Sequence, residues 1–325
     1  MQRSLKLLVF TALAVAAASG AYAQNYPTKP IYLYIPFAAG GPTDTLGRNL
    51  AQVMGKPLKV QIIVENVVGA GGTIAVARAA KAAPDGYTVL LHHIGMSTAP
   101  ALYRTLTFDP LKDFEYIGEV ADVPMTLIAR GNFPAANLKE FLAYIKANKD
   151  KVTYANAGLG AASHLCGLLF MTAIQTDVTT VPYKGTGPAM NDLLGGQVDF
   201  MCDQTTNTTG QILGGKVKVY GVTSKKRVPS LPDIPTLDEQ GIKGFEVVVW
   251  HGLYVPKGTP KPVVERLNAA LQEAIKDADF TANLARLGAE PVSADRARPE
   301  ALHKLLQSEI AKWGPIIKKA GQYAD

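Results

Sequence analysis

Ile31-Tyr32-Leu33-Tyr34-Ile35-Pro36-Phe37-Ala38-Ala39-Gly40-Gly41-Pro42-Thr43-Asp44 is the stretch that decides the fold class. An apolar run of strand length ends at Pro36, a turn with paired glycines follows, and Thr43 to Met54 reads as a helix. The order then repeats. Leu58 to Glu65 reads as a strand, Gly69-Ala70-Gly71-Gly72-Thr73 as a turn, Ile74 to Ala83 as a helix and Thr88 to His92 as a third strand, with a helix pattern near Thr98 to Tyr103. Strand, glycine turn, helix, strand is the rhythm of βαβ units in a mainly parallel sheet.

The rhythm restarts after Ala129. Leu138 to Ala147 is an amphipathic helix, Val152 to Asn156 a strand, and Ala161 to Ile174 a helix reached through Ala157-Gly158-Leu159-Gly160. Thr179 to Pro182, Val198 to Cys202 and Val217 to Val222 read as strands of a second small sheet, with a helix over Gly187 to Leu194. Helices return at Pro262 to Lys276 and Pro299 to Lys312. Two α/β halves imply a crevice, and in open α/β sheets ligands sit outside the carboxyl ends of the strands.

Composition narrows the function. The chain has 325 residues, 47% hydrophobic and 18% charged, enough for a sizeable core and for two domains. A formal charge of +6 without long basic runs argues against nucleic acid as partner. Arg3 and Lys6, the uncharged run Leu7 to Ala18 and Ala21-Tyr22-Ala23 have the order of a secretory signal peptide cleaved after Ala23. The run is shorter than the roughly 20 residues of a membrane span. Residues 1–23 are therefore read as a leader, and the mature chain as exported. Export permits a disulfide between Cys166 and Cys202; two buried thiols are the other reading.

Two strand-to-helix loops share one construction. Phe37, Ala38, Ala39, Gly40, Gly41 and Thr43 form the first; Gly158, Leu159, Gly160, Ala161, Ala162 and Ser163 form the second. Small residues let a ligand approach the backbone, and the N–H groups of a helix mouth attract an anion without any Lys or Arg. Asp44 can serve as an N-cap or first-turn acid, and since a carboxylate there repels an anion it is not taken as the main ligand contact. Lys184 is the only cation in a third junction, Val181 to Pro188. Catalytic patterns are missing: there is no Walker A motif and no nucleophile elbow. Strand alternation puts His92 and His93 on opposite faces, and His164, His251 and His303 are dispersed. No metal, no cofactor and no catalytic residue is expected.

Further stretches accompany these loops: Tyr26-Pro27, Glu65 to Gly72, Ala83-Pro84-Asp85-Gly86-Tyr87-Thr88, Tyr154 to Gly158, Val181-Pro182-Tyr183-Lys184-Gly185, Leu194-Gly195-Gly196-Gln197-Val198-Asp199 and Leu231-Pro232-Asp233-Ile234-Pro235-Thr236. Together, and in this order, they resemble the Bug family, the periplasmic solute receptors of tripartite tricarboxylate transporters. The resemblance implies an α/β type II periplasmic binding protein, with a small organic carboxylate (di- or tricarboxylate, or aromatic acid) held between two lobes by the two loops. It adds His93, Gly95 and Asp203 to the cleft, Asp203 as the group that could hold an amine. Lobe 1 is expected at residues 24–125 and 247–325, lobe 2 at 126–246. A monomer delivering its ligand to a membrane permease is the leading reading. A receptor feeding a sensor kinase, or an exported hydrolase, are the alternatives.

Overall fold

The computed structural model describes residues 26–321; the leader and its cleavage point lie outside them. The strands are β1 (Ile31–Ile35), β2 (Ile62–Asn66), β3 (Thr88–His93), β4 (Phe114–Arg130), β5 (Thr153–Asn156), β6 (Thr179–Pro182), β7 (Phe200–Gln204), β8 (Val217–Val222), β9 (Val248–Pro256) and β10 (Glu290–Pro291). The helices are α1 (Pro42–Leu58), α2 (Thr73–Ala80), α3 (Gly95–Leu102), α4 (Leu138–Ala147), α5 (Ala162–Ile174), α6 (Thr186–Leu194), α7 (Thr205–Leu213), α8 (Lys261–Ala274), α9 (Ala278–Arg286) and α10 (Pro299–Ala320). Among these helices none is long and apolar enough to cross a membrane.

The sheet runs β2-β1-β3-β9-β4-β7-β5-β6, with β8 and β10 also on β4. β1 lies parallel to β2 and β3, and β5 parallel to β6 and β7. These are the expected βαβ blocks. Joining them is β4, which the sequence reading passed over. It pairs antiparallel with β9 from Phe114 to Pro124, then with β7 and β8 from Met125 and Thr126 onward. Pro124 cannot donate to a ladder and argues against a central strand. It is tolerated here because it falls where the strand changes partners.

Other differences have local causes. Leu58 belongs to the end of α1, and β2 begins only at Ile62. Lys59 takes a left-handed turn between them, at φ 58°. α7, whose sequence Thr-Thr-Asn-Thr-Thr-Gly carries little helix propensity, is held by tertiary contacts. Thr126 and Thr208 hydroxyls meet at 2.8 Å, and Thr205 donates to the Gly288 carbonyl at 2.9 Å. α1 and α8 cover one face of the first half, where Leu46, Leu50, Leu267 and Leu271 bury with Ile31, Leu33 and Ile35. A second, larger core continues through Met125, Val249 and Trp250 into the other half.

Candidate ligand site

The carboxyl ends of β1, β3, β5 and β7 open on one small buried cavity between the halves. Its walls are Phe37, Pro42, Thr43, His93, Ala157, Ala161, Ala162, Ser163, Thr186, Asp203 and Gln204, and the space they leave is about 10 Å³. The N-termini of α1, α5, α6 and α7 all arrive at this wall. None of these four ends has a side-chain cap, whereas α4 and α9, elsewhere in the molecule, are capped by Asn137 and Asp277. Uncapped helix ends leave backbone N–H groups free and carry about half a positive charge each. No Lys or Arg lines the cavity.

The polar side chains are placed by short-range bonds. Ser163 Oγ accepts from the Ala157 N–H at 2.8 Å, which leaves its own proton to donate. The Thr186 hydroxyl and the Gln204 Oε1 are buried without a partner. Asp203 accepts from the Gln204 N–H at 2.8 Å and from the Asn207 amide at 2.6 Å. Burial nevertheless pushes its carboxyl up to about 6, against the bonds from Asn207 and the Gln204 N–H. The Thr186 hydroxyl is close enough to favour the ionised form, though outside bonding geometry.

The histidines depart from the sequence expectation. His92 and His93 are neighbours at a strand end, yet their rings touch, with centroids 4.8 Å apart. The His93 N–H donates back to His92 Nδ1 at 2.7 Å, which turns the His92 ring toward its neighbour. His251 is not dispersed either: β9 sets it opposite His93, ring centroids 5.7 Å apart. Burial holds His92 and His251 down to about 3 and His93 well below its ordinary range, so all three are neutral at pH 7. His93 Nδ1 accepts from the Gly95 N–H at 3.0 Å, which puts the ring proton on Nε2. Phe37 stacks on His93 with centroids 4.8 Å apart. Among the described residues no cluster of His, Cys, Asp or Glu could hold a metal ion.

Of the sequence-predicted residues, Phe37, Thr43, His93, Ala161, Ala162, Ser163 and Asp203 line the cavity. Ala38, Ala39, Gly40, Gly41, Gly95, Gly158, Leu159 and Gly160 do not; they shape the loops around it. Lys184 is a correction: its side chain is exposed, and only its carbonyl takes part, accepting from Ala38 N–H at 2.9 Å across the cleft. Thr186 and Gln204 were missed. Gln204 carried no glycine signal, and only the end of β7 places it. Asp44 is structural, as expected: it accepts from Gly40 N–H, Arg48 and Asn66 at 2.9 to 3.0 Å. Burial raises its pKa, but these bonds more than offset that and hold it below the ordinary range. Cys166 and Cys202 are bonded, with Cα atoms 6.1 Å apart. A larger groove of about 980 Å³ lies at the other end of β9, around Phe114, Tyr116 and His303. Charges there are paired, Lys257 with Glu115 at 2.9 Å and Arg298 with Asp295 at 3.0 Å.

Comparison with known proteins gives the family. The sequence profile of the tripartite tricarboxylate transporter family receptor matches residues 46–322. The chain belongs to that receptor family. A UPF0065 protein of Agrobacterium vitis is 47% identical over 299 residues, covering 92% of this chain and 86% of its own. Among solved structures, the periplasmic binding protein BugD is 55% identical with a TM-score of 0.90, covering 92% of this chain and all (100%) of its own. MatC from Rhodopseudomonas palustris, solved with bound malate, is 41% identical with a TM-score of 0.87, covering 90% of this chain and 100% of its own. The fold of this family is that of a periplasmic binding protein, and its members are binding proteins.

Proposed function

We propose that this chain is an exported, non-catalytic receptor that closes on a small organic carboxylate and delivers it to the membrane subunits of a tripartite transporter. One observation carries the reading: four uncapped helix N-termini converge on a buried cavity that no Lys or Arg lines. Such a site binds an anion through preorganised N–H groups. Each charge-assisted bond contributes about 1.5–3 kcal/mol, so four or five reach a micromolar affinity, about 8 kcal/mol, after closure costs. Ser163 and His93 Nε2 are further donors for the carboxylate. Asp203 and Gln204 Oε1 are acceptors, so the ligand's far end presents a hydrogen-bond donor to them.

The cavity, about 10 Å³, has room for about one water molecule and not for an organic acid, so loading requires the halves to part. The proposed lobes, 24–125 with 247–325 and 126–246, follow the partner change on β4 between Pro124 and Met125. A binding protein of the family, made with a leader cleaved after Ala23, works in the periplasm as a monomer.

A thermal-shift panel tests the reading. Malate, aspartate, succinate, adipate and benzoate are compared with glucose and putrescine, since bound ligand raises the melting temperature by mass action. At least one acid should stabilise the protein while the sugar and the amine do not. Stabilisation by the neutral or cationic compounds alone would overturn it, as would turnover of an acid ester by the purified protein.

A further inference from the structure

Thr98, in α3, and Tyr103, just after it, do not line the cavity. Both hydroxyls instead reach across the cleft to the loop that leads into α5. Thr98 Oγ1 donates to the Gly160 carbonyl at 2.8 Å. Tyr103 Oη lies 2.9 Å from the Leu159 carbonyl and 2.7 Å from that of Ala70, so one phenol proton is shared between the two halves. Gly71 completes the fit: a Cβ there would come within 1.8 Å of the Leu159 oxygen.

The loop so held is one that needs holding. Gly158 and Gly160 have φ of +99° and +81°, and glycine loses more conformational freedom on ordering than any other residue. Its successors Ala161, Ala162 and Ser163 are the cavity wall and the mouth of α5. We infer that Thr98 and Tyr103 are positioning residues for ligand binding: closure of the first half sets the peptide planes of Leu159 and Gly160, and so aims the α5 mouth. The ligand loads while the halves are apart, and these contacts, made by the protein alone, help complete the site as they close on it. This deepens the receptor reading and rests on it, but its test needs no ligand.

A separate bond across the cleft runs from the Ala38 N–H to the Lys184 carbonyl at 2.9 Å, and it exists only while the halves are shut. Amide exchange of Ala38 in the ligand-free protein therefore reports closure through a bond that neither changed side chain makes. Tyr103→Phe and Thr98→Val each delete one hydroxyl and keep the side-chain shape. Each should speed Ala38 exchange about fivefold, and the pair together more. Exchange of the β5 amides, inside one half, should stay unchanged, which separates lost closure from lost stability. Unaltered Ala38 exchange in the folded double variant would overturn the inference, whatever acid the receptor takes. If the variants speed Ala38 and β5 exchange alike, the hydroxyls are structural only, and the inference fails as well.

Discussion

Cys166 is bonded to Cys202, and each cysteine stands next to a cavity residue. Ser163 lies one helical turn before Cys166 on α5, and Asp203 directly follows Cys202 on β7. The bond therefore ties the anion-facing helix mouth to the strand that carries the acceptor end.

Removing that tie has a size. A crosslink spanning 36 residues restricts the unfolded chain by about 3–4 kcal/mol in the loop-entropy account. Cys166→Ala with Cys202→Ala should lower unfolding free energy by that order, read by urea denaturation. A double variant as stable as the parent would show that the bond contributes nothing net and that the packing around it holds α5 to β7.

Asp203 makes stability depend on pH. Its folded pKa of about 6 lies above the unfolded carboxylate value. A raised acid binds more protons when folded, so its contribution favours the fold at low pH and is lost as pH rises from about 4 through about 6. Asp203→Asn keeps an acceptor for the Gln204 N–H, and the Asn207 amide can turn to accept from the new side chain. The variant should gain about 2–3 kcal/mol at pH 8 and nothing at pH 4 relative to the parent. Parallel denaturation at the two pH values measures this; equal effects at both would place the Asp203 charge elsewhere than in the folded-state balance.

Arg296 should matter in the opposite way. Its guanidinium bonds both Glu119 and Asp122, and Glu119 is only 2% exposed. Burial pushes Glu119 up to about 7 while Arg296 pulls it back. Arg296→Met leaves that carboxylate buried and uncompensated, a loss of about 2 kcal/mol or more after allowing for the half-exposed arginine. The deficit should be larger at pH 8 than at pH 5, where Glu119 takes a proton. Adding Glu119→Gln should recover most of it. A deficit independent of pH would mean that lost packing by the arginine stem dominates.

How far the sequence could be read follows from what each element says locally. β1 was legible to the residue because its apolar run is bounded by Pro30 and Pro36, and β6 and β8 through their short β-branched stretches. β4 was not, since Glu115, Gly118, Glu119, Asp122 and Pro124 break its pattern; its partners on both sides, distant in sequence, make it a strand. The two ligand loops were visible through their glycines. The histidine group, Thr186 and Gln204 were not, because β3–β9 pairing and the convergence of helix ends are tertiary facts. Only the pairing of Cys166 with Cys202 moved from an open alternative to a defined bond.

The two loop glycines, finally, should behave differently from one another. Paired glycines permit left-handed backbone at both positions, but only Gly40 has it, at φ 78°, and a Cβ there would meet nothing within 4 Å. Gly40→Ala should therefore cost backbone strain, about 1 kcal/mol of stability, and leave binding alone. Gly41 is extended, at φ −83° and ψ 175°, a conformation valine adopts freely. Its constraint lies across the cleft: a Cβ would sit 3.4 Å from the Gly187 nitrogen and 3.9 Å from that of Thr186. Gly41→Ala just fits, whereas the γ-methyls of Gly41→Val press on the mouth of α6 and hold the halves apart. Affinity for the acid found in the panel should fall at least tenfold in Gly41→Val, about 1.4 kcal/mol, with the ligand-free melt nearly unchanged. Calorimetric titration of the three variants beside their melts gives both numbers. Loss of binding in Gly40→Ala with retention in Gly41→Val would reverse the assignment and make backbone conformation, not closure, the role of this turn.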